Sequence, residues 1–367
     1  MERMTYAGSG VDYGALDPFK RRAQLAGRST ADVIRRLGVA EVDASRGESA
    51  YLIETADSYL AHVEEGLGTK NLVADAMYRL VPTRSYYDHI AQDTVAMIVN
   101  DMATLGAAPM AVAMHLGVGS SEWFKDERRA SDLVDGWRKA CLLARSAWGG
   151  GETPTLAGVV EPATVVLAGS AIGMIKPKER MIRSNIEDGD AIVMFESSGV
   201  HANGLTLARA IAARAPNGYL TPLSDGRPYG EALLDPTHIY VPVIEDCLDR
   251  GVDIHYAVNV TGHGWRKLMR ASASFAYVID TLPRVQPVFE FIQAVGGVDD
   301  VEAYGNFNMG AGFAIYVPEK DVATVLDVSR SFPFAAIRAG HVEASATKRV
   351  VITPKGLEYS ADTLAVR

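Results

Sequence analysis

Cysteine is scarce in this chain: Cys141 and Cys247 alone occur in 367 residues, far apart, with no Cys-x-x-Cys pair and no neighbouring histidine pattern. That excludes a disulfide framework and a thiolate zinc site, and both thiols read as small buried apolar residues in a reducing setting. No apolar run reaches the length of a membrane span, and Met1-Glu-Arg-Met-Thr5 carries no signal core. A soluble, cytoplasmic protein without a membrane partner is therefore expected. Runs of Lys and Arg are also missing. With a net charge of −9, the chain lacks the basic face that nucleic-acid binders need, so no nucleic-acid partner is expected. What is present is ordinary globular material, 48% apolar and 22% charged, long enough for two or three domains with normal cores.

Apolar runs and helical periodicities alternate along the chain. The first thirty residues, rich in Gly, Asp and Ala, read as a mobile segment before a strand at 50–54. A helix follows over 86–105, then a strand over 109–116, then a helix capped by Ser131 and stopped by Gly149-Gly-Gly151. A long apolar strand at 164–175 leads to the charged stretch 176–180, which is the expected boundary between domains 1–175 and 176–367. The second half repeats the alternation. It has a strand at 191–195, a helix from Leu205, and a helix opening over 234–240 with Pro236 in its first turn. Further strands are expected at 275–279, 312–317, 336–343 and 349–353, with helices over 288–295 and 320–332. The fold class is α/β (α+β), as two α/β domains of similar build.

Five segments carry chemistry. In Glu196-Ser-Ser-Gly-Val-His-Ala-Asn-Gly-Leu205 a strand empties into a glycine-bearing turn and a helix, whose first N–H groups suit an anion. His201 is there either as a phosphate donor or as a loop residue. Glu64-Glu-Gly-Leu-Gly-Thr-Lys70 lets backbone approach a ligand while Lys70 supplies a point charge, although the spacing is not that of a Walker P-loop. In the helix over 86–105, Asp93, Met97, Asn100 and Asp101 share a face, so two carboxylates could meet one Mg²⁺. Gly149-Gly-Gly-Glu-Thr153 and Asn259-Val-Thr-Gly-His-Gly264 are glycine turns with polar side chains suited to a substrate.

Taken in order, these segments resemble the aminoimidazole ribonucleotide synthetase (phosphoribosylformylglycinamidine cyclo-ligase) family, within the PurM-like superfamily. The match runs from Gly10-Val-Asp12 through GLGTK, the D-x-VAM-x-VND block, GGET, SSG-x-H-x-NG and LL-x-PT-x-IYV to a TG-x-G turn and Phe307-Asn-Met-Gly310, nearly the whole chain. The resemblance implies two PurM-like domains that dimerise through their N-terminal sheets and bind ATP and Mg²⁺. The implied reaction phosphorylates the formyl oxygen of formylglycinamidine ribonucleotide and closes the imidazole ring, with release of ADP and phosphate.

By the same resemblance, Lys70, Asp101 and His201 would be catalytic, and Glu65, Asp93 and Asp101 would hold the metal. Nucleotide and substrate would be bound by Gly68, Thr69, Asn100, Gly151, Glu152 and Thr153. On the C-terminal side Ser198, Gly199, Asn203, Gly204, Thr261 and Gly262 would join them. The chain departs from the family pattern at Glu65 (usually Asp), Pro154-Thr-Leu-Ala-Gly158 (usually with an acid), Val166 (usually Asp) and His263 (usually Gly). Two further readings use the same motifs: an ATP-dependent kinase or synthetase with another small acceptor, and a non-catalytic nucleotide-binding paralogue.

Overall fold

The computed structural model describes residues 4–5, 7–10 and 13–364. Val11 and Asp12 of the GVD segment lie outside the described residues. Two mixed sheets organise the chain. The first contains β1 (Ala40–Glu41), β2 (Tyr51–Glu54), β3 (Tyr59–Gly66), β4 (Ala108–Val118), β5 (Ala147–Glu152) and β6 (Val165–Ile175), in the order β1-β2-β3-β6-β4-β5. The second contains β7 (Ala191–Glu196), β8 (Tyr256–Asn259), β9 (Phe275–Ile279), β10 (Ala311–Val317), β11 (Ala336–Ala344), β12 (Arg349–Ile352) and β13 (Leu357–Ser360). Their order is β13-β12-β9-β11-β7-β10-β8.

Several expectations change. Within the stretch expected to be a mobile segment, residues Tyr13–Arg28 form helix α1. After α2 (Lys70–Leu80) and α3 (Tyr87–Ala103), helix α4 runs Glu127–Leu143 and is capped by Asp126, whose carboxylate accepts from Arg129 N. Ser131 therefore sits one turn inside α4. Gly149, Gly150 and Gly151 lie in β5 rather than ending a helix. A Cβ on Gly151 would stand 2.0 Å from Met114 O, so the close pairing of β5 with β4 requires the missing side chain.

One face of the first sheet is covered by α3 and α4. A Cβ on Gly169 of β6 would meet Ile98 of α3 and Trp137 of α4, both fully buried. In the second sheet β7 and β10 are buried at almost every position, as continuous apolar runs shielded on both faces should be.

The expected helix over 234–240 is the most informative miss. After α5 (Leu205–Ala212) and the short α6 (Tyr229–Leu233), residues 235–240 run without helix until α7 (Val241–Asp249), which has Pro242, not Pro236, in its first turn. The physical reason is that α3, joined by Lys70 of α2, takes this segment's backbone groups. Lys70 Nζ donates to Asp235 O at 2.7 Å, Gln92 to Thr237 O at 2.9 Å, and Asn100 Nδ2 to His238 O at 2.8 Å. In return Asp93 accepts from Thr237 N and Oγ1 at 2.8 and 2.6 Å, and Asn100 Oδ1 accepts from Tyr240 N at 2.8 Å. Carbonyls spent on another element cannot close helical turns. The segment is thus a strap laid across α3, joining the second sheet's elements to the first's.

Lys70 and Asp93 pair at 2.8 Å with both side chains fully buried, the ion pair at the centre of that strap. Lys70→Met is expected to strand the Asp93 charge and cost about 3–5 kcal/mol in urea unfolding, whereas Lys70→Met with Asp93→Asn should recover most of it. Equal loss in the single and double variants would contradict a paired buried charge.

Candidate active site

Five of the sequence-predicted site residues converge. Glu65 at the end of β3, Asp101 on the last turn of α3, Asn203 from the turn before α5, and Thr261 and Gly262 after β8 line one cavity of about 360 Å³. Its wall also holds Lys20 and Gln24 of α1, Glu48, Asn259, Lys267 and Arg270. Asn259 Nδ2 donates to Asp101 Oδ1 at 2.7 Å and fixes that carboxylate.

Burial, and then the charge of Asp101, push the Glu65 carboxyl up to about 7, against the pull of Lys267 and Lys20. Asp101 is raised as well, by burial first, with Lys267 and the Asn259 hydrogen bond opposing. Two neighbouring oxygen donors with too little positive charge between them suit a hard divalent cation. Among the described residues no group of three or more His, Cys, Asp or Glu side chains gathers as a metal cluster. A cation here would complete its shell with water and ligand oxygens, as Mg²⁺ normally does.

Asp93 does not belong to that pair. Eight residues along a helix separate it from Asp101 by about 12 Å of rise, whereas Mg²⁺ holds each ligand at about 2.1 Å. Its carboxylate is already occupied by Lys70 and Thr237. The two carboxylates predicted to share an ion thus serve different ends of α3. Lys70, predicted to neutralise phosphate, is fully buried with its ammonium on Asp93 and Asp235 O, and Asn100 is spent on His238 and Tyr240. The position of Lys70 at the start of α2 follows from the turn at Gly68 and Thr69, but its side chain turns inward.

His201 is also turned inward. It is buried, its Nε2 accepts from Ser198 N at 3.2 Å, and its ring packs against His238 and Tyr240. Burial, then His238 and Lys70, hold its pKa well below the ordinary value, so the ring is neutral and carries no charge to a phosphate. It braces the turn instead. Ser198 Oγ donates to Pro236 O at 2.6 Å, tying Ser198 and Gly199 to the strap, and Asn308 Nδ2 donates to Gly199 O. Gly204 closes the turn at φ +77, where a Cβ would stand 2.1 Å from the Phe307 ring. Glu152 lies on the exposed edge strand β5 beside His115 of β4, followed by Thr153, and neither lines the cavity.

Sequence reasoning missed Glu48, Lys267 and Arg270 as wall residues. A faint signal existed for two of them: Lys267 and Arg270 stand three apart directly after the Thr261-Gly-His-Gly264 turn, and so on one side of a helical turn.

Two family models match most of the chain. The N-terminal domain model of the AIR synthase related proteins matches residues 47–175, and the C-terminal domain model matches 187–353. The chain belongs to this family. A protein of Methanocaldococcus jannaschii named phosphoribosylformylglycinamidine cyclo-ligase is 34% identical over 79% of this chain and 80% of its own length. A protein of the same name from Carboxydothermus hydrogenoformans is 31% identical over 96% and 99%. Among solved structures, AaThiL complexed with AMPPCP and TMP superposes with a TM-score of 0.58 at 12% identity, covering 89% of this chain and 93% of that one. The HypE–HypF complex gives 0.58 at 16%, covering 87% and 95%. At such identities these two show a likeness of fold alone.

The raised Glu65 carboxyl makes stability depend on pH. Its folded pKa of about 7 lies above the ordinary 4.5, so its contribution is present below pH 4.5 and is lost as pH rises through 7. Glu65→Gln should therefore gain stability relative to the natural chain across that window in metal-free urea melts. A difference that stays flat with pH would show that Glu65 ionises normally.

Proposed function

We infer that this chain is an ATP-dependent cyclo-ligase of purine biosynthesis, converting formylglycinamidine ribonucleotide to aminoimidazole ribonucleotide with release of ADP and phosphate. The observation that carries the reading is the convergence of Glu65, Asp101, Asn203, Thr261 and Gly262 on one polar cavity, in a chain alignable end to end with relatives of that name. Glu65 and Asp101 would hold Mg²⁺, and the ion, when bound, would neutralise charge on the nucleotide phosphates.

The chain's own residues supply position. Asn259 holds Asp101 in place, while Asn203, Thr261 and the Gly262 backbone offer hydrogen bonds to a polar ligand. Lys20 of α1 also lines the cavity and adds positive charge near Glu65. Ring closure joins two groups of one bound substrate, so orientation by these walls contributes more than a strong base would.

The proposed assembly is a homodimer through the first sheet. On the face opposite α3 and α4, Ile172 is 53% exposed, Val166 47%, Met110 44% and Leu60 38%, an apolar surface that a second copy would cover.

Incubation with formylglycinamidine ribonucleotide, ATP and Mg²⁺ should yield ADP and aminoimidazole ribonucleotide in equal amounts, and Asp101→Asn should lower kcat/KM by about 10²–10³. Absence of the imidazole product with the natural chain would defeat the reading. Ile172→Glu should shift the light-scattering mass from dimer to monomer, and an unchanged mass would remove this face as the interface.

A further inference from the structure

Among the charged side chains of the cavity that have no role in the reading above, one stands apart. Lys267 lies on the short 3-10 helix Gly264–Met269 and faces the space bounded by Glu65 and Asp101. Its ammonium is held in place: it donates to Thr261 Oγ1 and to Asn259 O, the latter at 3.4 Å. Asn259 therefore touches both charge signs, its carbonyl on Lys267 and its side-chain amide on Asp101. An ammonium has three donors, and two are accounted for.

The other cations differ in kind. Arg270 turns both terminal nitrogens to the wall, donating to Ser49 Oγ at 3.0 Å and Gly47 O at 2.8 Å, with Glu48 at 3.9 Å from its Nε. Lys20 is half exposed on α1, with Asp17 at 3.8 Å. Lys267 alone among them is both walled in and aimed at the ligand space by two fixed acceptors. Burial first, then Arg270, lower its pKa to about 8 against the pull of Asp101 and Glu65. A cation in that setting gains from an arriving anion.

The lining also says what sort of anion. Met97 is the one large aliphatic side chain among the lining residues, and no Phe, Tyr or Trp is present, so the wall offers little to a purine ring. Glycine backbone, amides, a hydroxyl and charges of both signs suit a phosphate ester and its metal. We propose that Lys267, oriented by Thr261 and Asn259, is the phosphate-binding residue of this cavity and holds a phosphate group opposite Glu65 and Asp101. The phosphate belongs either to the ribonucleotide acceptor or to the ATP tail, and that choice rests on the cyclo-ligase reading. The anion site itself does not.

The test is calorimetric titration with ribose 5-phosphate and with ribose, alongside steady-state kinetics, for the natural chain, Lys267→Met, Lys267→Arg and Thr261→Val. The natural chain should prefer ribose 5-phosphate to ribose. Lys267→Met should weaken phosphate binding about thirtyfold, as loss of a charged hydrogen bond does, while its circular dichroism spectrum stays that of the folded chain. Lys267→Arg should retain part of the affinity, and Thr261→Val, which frees the ammonium, should lose an intermediate amount.

In turnover, one KM should rise by a similar factor with kcat within about threefold. A rise in the acceptor KM places the acceptor phosphate on Lys267, and a rise in the ATP KM places the nucleotide there. The proposal is overturned if Lys267→Met binds ribose 5-phosphate as the natural chain does and neither KM moves. It is equally overturned if the natural chain shows no preference for the phosphate and neither KM moves. Loss of ribose 5-phosphate binding in Lys267→Met, in a natural chain that makes no aminoimidazole ribonucleotide, would keep the anion site and discard the cyclo-ligase reading.

Discussion

The contact between α3 and the strap at 235–240 is the constraint on which the site depends. A strap without internal hydrogen bonds has backbone groups to satisfy, and α3 satisfies them with Gln92, Asn100 and Asp93, joined by Lys70 from α2. Such buried polar groups are expensive when left unpaired and rigid when fully paired. Because the strap also accepts from Ser198 Oγ, the turn before α5 inherits its position from α3. Asn203, four residues beyond Gly199, reaches the cavity from that turn. Asn203 is therefore brought to the cavity that Asp101 lines by a chain of fixed contacts rather than by a flexible linker.

The two ends of α3 use carboxylates in opposite ways. Asp93 is neutralised within the chain by an ammonium and two Thr237 donors, and nothing is left for a ligand. Asp101 receives one amide hydrogen bond and shares its surroundings with Glu65, so its negative charge is only partly answered. The first arrangement joins the two sheets' elements, and the second leaves a demand for a cation. Lys267 partly answers that demand, so the two carboxylates have a counter-charge within the chain, and the cavity still has room for an ion and an anion together.

Element type was readable wherever apolar runs were long: β4, β6, β7, β9, β10 and α3 fall where the pattern puts them. Misses occurred where tertiary partners override local preference. Pro236 invites a helix start, yet α3 claims the carbonyls around it. The triple glycine after α4 looks like a helix stop and instead lies in β5, where Gly151 lets the strand pass against Met114. For the site, the glycine turns and carboxylates were legible as motifs, but their sorting was not. A face of α3 seen in one dimension cannot tell that Asp93 meets a lysine and Asp101 meets Asn259, because both partners come from elements distant in sequence. The inward turn of Lys70 and His201 is hidden for the same reason: residue type advertises phosphate chemistry, and burial decides against it.

The departures from the family pattern sort by position in a way that bears on what has been kept. Val166 sits on the outer face of β6, 47% exposed and away from the cavity, where an apolar residue enlarges the surface around Ile172. His263 is different. It occupies a left-handed backbone position at φ 69, where glycine is free and any other residue costs about 1–2 kcal/mol. A residue retained against that cost has something to contribute in its side chain. The His263 ring is buried at the cavity wall, with Asp17 of α1 at 3.8 Å from its Nε2. Asp17 is in turn the one buried side chain among those described on α1, and Lys20 follows one turn later. The substituted turn thus bears on how α1 lies over the cavity, while the carboxylates on the opposite wall stand as an oxygen-donor pair with Glu65 in place of the shorter acid. Of the two departures at the cavity, Glu65 keeps a carboxylate beside Asp101, whereas His263 sets a ring against α1, so the change in chemical character falls on the α1 side.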